Sequence, residues 1–172
     1  MKPRTIFLAT TLMLMCSFAT LPAAHAVPAV LQVRGPIYIT VPTSAGAMQS
    51  ITVKAPAKGN MIVTVTGTVN YEFTSGAEAM WCLQLSMTSG WVGGCVPDSG
   101  SDSAIRSYYA ADFPTTQSGF GAAAPYSIVR VWPVTAGTTY TFYLNGYGTG
   151  FDGIWLFQPS ITVLYVPGTL AP

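Results

Sequence analysis

Glycine and proline punctuate this chain at short intervals, and between them apolar residues tend to recur at every second position. Seventeen Gly and 13 Pro scattered among 172 residues argue against long helices, since Gly raises the entropy cost of ordering the backbone and Pro removes a donor. Period-two runs bounded by turn residues are the mark of half-buried strands. Ile37 to Val41 and Gln49 to Lys54 alternate in this way, and a turn at Pro56-Ala57-Lys58-Gly59 leads into a long Val/Thr run from Asn60 to Phe73. Within that run Gly67 marks a bulge or a close approach of another group.

Met80 to Met87 reads as a further strand, with Leu83, Leu85 and Met87 on one face, followed by a polar loop from Pro97 to Ser103. The segment from Ile105 to Pro125 is poorly patterned, and we expect a short strand and an extended connection there. The C-terminal third is clearer. Tyr126 to Val134, a turn at Thr135-Ala136-Gly137 and Thr138 to Asn145 read as a hairpin, with Tyr140, Phe142 and Leu144 sharing a face. A Gly-rich loop (146–153) then leads through Ile154-Trp155-Leu156 to a last strand, Ser160 to Val166. We therefore expect an all-β fold: an antiparallel β-sandwich of about eight strands, jelly-roll-like. An eight-stranded outer-membrane barrel fits the length, but charges are too scarce to line a lumen and several strands fall short of a span.

The first 26 residues read as an export signal. Lys2 and Arg4 precede an apolar run from Ile6 to Phe18, and Ala24-His25-Ala26 supplies the small-x-small cleavage pattern. The domain expected is residues 27–172, exported to the periplasm or the medium, with no later apolar run long enough for a membrane-spanning helix. Cleavage would remove the only histidine, His25. A chain without histidine cannot assemble a Ser-His-Asp or Cys-His nucleophile, and it offers no imidazole to zinc or copper. Five basic residues (Arg34, Lys54, Lys58, Arg106, Arg130) would then meet six acidic ones (Glu72, Glu78, Asp98, Asp102, Asp112, Asp152). So balanced and sparse a charge set does not suit a nucleic-acid partner.

Two cysteines would remain, Cys82 and Cys95, an even number in an oxidising compartment. A hairpin turning at Thr88-Ser89 would face Cys82 with Cys95 and Leu85 with Val92, so we expect a structural disulfide. The spacing is not that of a C-x-x-C redox or metal pair.

Three constellations could carry chemistry. Gly148-x-Gly150-x-x-Gly153 matches a dinucleotide fingerprint by letter, but no helix start follows it. Tyr147, Phe151, Asp152 and Trp155 on that loop could stack against a sugar and accept its hydroxyls, as a lectin-like module does; the plainer alternative is that Phe151 and Trp155 are core or subunit-contact residues. Asp98 and Asp102 share an oxygen-rich loop, a weak candidate for calcium beside the simpler reading of a solvated loop. A glycan hydrolase needs only two carboxylates, with Glu72 the most attractive of the six. We expect no cofactor, no metal and no catalysis.

The strand order also resembles the jelly-roll heads of the complement globular-head and tumour-necrosis-factor-like superfamily, as found in uncharacterised bacterial exported domains. The stretch ITVKAPAKGNMIVTVTGTVNYEF looks like its central strands. VTAGTTYTFYLNG with the terminal FQPSITVLYVP looks like its C-terminal half. There is no collagen-like stalk. The resemblance implies a homotrimeric, non-enzymatic binding head; the ligand we expect is a glycan or a protein.

Overall fold

In a computed structural model of the chain, residues 29–73, 79–90, 103–109 and 120–168 are described. They form nine strands: β1 (Ala29–Arg34), β2 (Tyr38–Thr40), β3 (Gly46–Lys54), β4 (Gly59–Phe73), β5 (Ala79–Ser86), β6 (Ser103–Tyr109), β7 (Phe120–Val134), β8 (Thr139–Thr149) and β9 (Gly153–Pro167). One sheet runs β1-β9-β4-β7, with β2 also on β9, and the other runs β3-β8-β5-β6. Every pairing is antiparallel. No helix among the described residues is long and apolar enough to cross a membrane.

The pairings are nested. β1 and β2 share the edge position beside β9, β3 lies on β8, β4 on β7 and β5 on β6. The chain is doubled like one long hairpin, and the doubled ribbon is wrapped into two sheets. Counting β1 and β2 as one interrupted edge strand, this is the eight-stranded jelly-roll-like sandwich expected from the sequence.

Alternation supplies the core. Met61, Val63, Val65, Val69 and Tyr71 of β4 face Leu156, Ile161, Val163 and Tyr165 of β9 within one buried cluster, which Trp81, Leu83, Leu85, Phe142 and Leu144 close from the other sheet. Trp132 and Phe142 meet across the sandwich with ring centroids 4.9 Å apart. Met87, expected on the face of Leu83 and Leu85, lies beyond the end of β5 and is 45% exposed.

Three sequence expectations change. The C-terminal hairpin does not form as a ladder: β7 pairs with β4, and β8 with β3 and β5. The turn itself is present, with Gly137 at φ 76° and Thr138 N donating to Thr135 O at 3.2 Å. It joins the two sheets, since each flanking strand buries a face and finds partners earlier in the chain. The hairpin register around Thr88-Ser89 is replaced as well, because Leu85 is already flanked by Ser103 on one edge and Leu144 on the other. Cys82 is fully buried in β5, whereas Cys95 lies outside the described residues, as do the export signal and the Asp98/Asp102 pair.

The third change concerns the Gly-rich segment. β8 continues to Thr149 and β9 begins at Gly153, so only three residues connect them. A Cβ on Gly146 would come within 2.9 Å of Leu83 Cδ2, and one on Gly148 within 3.1 Å of Ile154. These glycines let packed side chains approach a strand.

Candidate functional site

The four candidate residues around that connection are not presented together. Tyr147 sits opposite Cys82 in the β3-β8-β5-β6 sheet, between the inward-facing Gly146 and Gly148. Trp155 lies in the other sheet, between the buried Ile154 and Leu156, and faces Asn70. The two rings therefore project from opposite faces of the sandwich, each half-buried. Phe151 turns inwards, its ring 5.4 Å from that of Tyr71. Asp152 is exposed, and its amide donates to Glu72 O at 2.9 Å. Of the six carboxylates, Glu72 and Asp152 are the two within the described residues, and both are solvent-exposed at that end of the sandwich. Among the described residues no three His, Cys, Asp or Glu side chains come close enough to hold a metal ion.

A different surface is more organised: the outer face of the sheet that contains β9. One end carries an aliphatic row that crosses four strands in register. Val30 faces Leu164, Leu164 faces Ile62, and Ile62 faces Val131. Val30 is 66% exposed and Val131 43%. Val129, also exposed, adds to the row from the next outward position of β7. The opposite end carries aromatic rings, with Tyr38 5.3 Å from Phe157 and Trp155 next along β9.

Between these ends the surface is polar and indented. The register of β9 against β4 slips between Thr66/Ser160 and Thr68/Phe157, so Gln158 and Pro159 stand opposite the single residue Gly67. This is a β-bulge, a device that bends a strand and re-aims its side chains. Gln158 adopts φ 48°, the only non-glycine positive φ in the described chain. The edge strand breaks at the same level, with Gly35 N donating to Pro159 O at 2.8 Å and Gln158 N donating to Ile37 O at 2.9 Å. The break and the bulge together leave a cavity of about 430 Å³ lined by Gln32, Arg34, Ile37, Thr66, Gln158 and Ser160, among others. Two of these, Gln32 and Ser160, are joined by a hydrogen bond, Gln32 Nε2 donating to Ser160 Oγ at 2.9 Å.

Arg34 makes no ion pair among the described residues, and the acidic pair Glu72/Asp152 lies at the far end of the sheet. Sequence patterning flagged Gly67 as a bulge point but not the cavity beside it. β1 went unrecognised because AVLQVR has no clean alternation, and the bulge residues Gln158-Pro159 read as a connection.

Gly67 meets a second demand. Its missing Cβ would lie 2.6 Å from the Tyr126 hydroxyl, which is buried and has no hydrogen-bond partner among the described residues. Burial, by disfavouring the charged phenolate, pushes the Tyr126 pKa well above the ordinary tyrosine value.

No family model matches the chain. No curated protein sequence matches it either. Solved structures do, at low identity. Infectious bursal disease virus, Gx strain, aligns at 15% identity over 84% of this chain and 33% of that one, with a TM-score of 0.40; the chain thus spans about a third of that protein's length. A tumour-necrosis-factor protein, Eiger from S. frugiperda, aligns at 11% identity over 83% of this chain and 96% of its own, with a TM-score of 0.31. Desmodium yellow mottle tymovirus aligns at 8% identity over 88% and 96%, with a TM-score of 0.31.

Proposed function

We propose that this chain is an exported, disulfide-bridged jelly-roll domain that acts by binding and self-association, without cofactor or catalysis, and that the aliphatic end of the outer face of the β9 sheet is its contact surface. The aliphatic row Val30–Leu164–Ile62–Val131 carries this reading. Four branched apolar side chains aligned across one sheet present continuous apolar surface to water, and removing such surface stabilises a complex by about 25 cal/mol per Å². Exposed apolar patches of this kind mark interaction sites. The low charge of the chain, 8% of residues, acts in the same direction, because interface cores are depleted of charge. Closed rings of identical copies use such a surface without leaving it open, and a trimer is the expected state.

Light scattering after size exclusion on residues 27–172 tests this. The expected result is a multiple of the monomer mass, reduced to the monomer by Val131→Lys combined with Val30→Lys, both at exposed positions, with unfolding still cooperative. A wild-type protein that stays monomeric through the high micromolar range overturns self-association.

A further inference from the structure

We propose that the cavity between the β1–β2 break and the β9 bulge is a binding site for an acidic saccharide, with Arg34 holding a sugar carboxylate. The cavity volume of about 430 Å³ lies within the range of small-ligand clefts. Its lining matches a polyol that carries one negative charge. Gln32, Thr66, Gln158 and Ser160 supply amide and hydroxyl groups that both donate and accept, as sugar hydroxyls require. Arg34 supplies a guanidinium that makes no ion pair among the described residues, and its fork of donors fits a carboxylate bidentately. Ile37 forms an apolar wall, and beyond it Tyr38, 59% exposed and braced by Phe157, offers a ring face for the C–H side of a neighbouring sugar unit.

The backbone supports the assignment independently of the side chains. Gln158 holds a left-handed conformation, at φ 48°, that glycine would occupy without strain. A bulky residue kept in that conformation, at the rim of a cavity it lines, fits a side chain retained for contact. The site does not depend on self-association: the aliphatic row lies at one end of the sheet, and Arg34 is two outward positions along β1 from Val30, with Gln32 between them.

The test is calorimetric titration of the purified exported chain with tetragalacturonate and, separately, with its fully methyl-esterified form. Esterification keeps the ring hydroxyls and removes the charge. Tetragalacturonate is expected to bind, the ester about tenfold or more weakly, and Arg34→Gln is expected to lose about tenfold for the acid but little for the ester, in keeping with a charge-assisted bidentate contact. Tyr38→Ala, at an exposed ring, should weaken both ligands alike. No binding of tetragalacturonate overturns the proposal, and so does equal binding of acid and ester, or an Arg34→Gln variant that binds as the parent does. Solution mass is measured on each variant: unchanged mass with lost binding concerns this cavity alone, whereas a monomeric parent that still binds tetragalacturonate removes self-association and leaves the site standing.

Discussion

Gln158 and Tyr126 are two residues held against their own preferences on either side of Gly67. Left-handed backbone costs a non-glycine residue roughly 1–2 kcal/mol, and part of that returns when glycine, with its greater unfolded-state freedom, is substituted. Gln158→Gly is therefore expected to stabilise the protein by about 1 kcal/mol, raising Tm by about 2–4 °C for a domain of this size, while tetragalacturonate binding weakens. A lowered Tm would mean that the Gln158 side chain supports the fold. For Tyr126 the hydroxyl is buried and has no partner among the described residues, so its removal relieves a desolvation cost. Tyr126→Phe should be neutral or stabilising by about 1 kcal/mol, and the gain should grow in alkali. The folded state keeps the phenol protonated where the unfolded chain ionises near pH 10, so the unfolded state binds fewer protons and parent stability falls as pH rises from there. Urea denaturation between neutral pH and about pH 11 should show a shallower loss for the phenylalanine variant, and parallel curves would place the alkaline sensitivity elsewhere.

At the scale of elements, close approach decides what a strand tolerates. Gly59 opens β4 where β9 crosses it, and a Cβ there would lie 2.5 Å from Val166 O and 2.9 Å from the Tyr165 ring. A main-chain oxygen held in a ladder cannot step aside as a side-chain tip can. Gly59→Ala is expected to cost about 1–3 kcal/mol, as overpacking does, read as a lower urea midpoint with unchanged slope. The same logic explains which elements were legible in the sequence. β3, β4 and β5 follow from alternation, because each lays a clean apolar face on the core. Gly67 was visible as an anomaly in a Val/Thr run. Gly146 and Gly148 were misleading, because a glycine that makes room for Met48, Leu83 and Ile154 has the same letter as one that makes a turn. Nor does local pattern say which strands pair: β7 and β8 look like a hairpin across Thr135-Ala136-Gly137 until β4 and β3 claim them. The cavity was invisible for the same reason, since Arg34, Thr66 and Ser160 meet only through long-range register.

For the whole molecule, the nested pairing means that each ladder within a sheet joins distant stretches of chain, from Leu85 against Ser103 inside to Ala29 against Tyr165 outside. Loop closure must precede the contacts that reward it, so such a topology folds slowly, in milliseconds to seconds or longer. The β5–β6 pair spans the shortest loop, and once it closes, each outer pair has less chain to bring together. The proposed Cys82–Cys95 bridge would act at that innermost point. A cross-link over so short a loop contributes about 3 kcal/mol in the chain-entropy account, and by holding the two halves together near the fold point it should also favour the first ladder. Combined Cys82→Ser and Cys95→Ser substitution is therefore expected to lower stability by about that amount and to divide the change between slower refolding and faster unfolding. Stopped-flow refolding from urea separates the two. If refolding is unaffected and the whole loss appears in unfolding, the innermost pair is not where folding begins, and the outer ladders, led by the long β4–β7 and β4–β9 contacts, must form first.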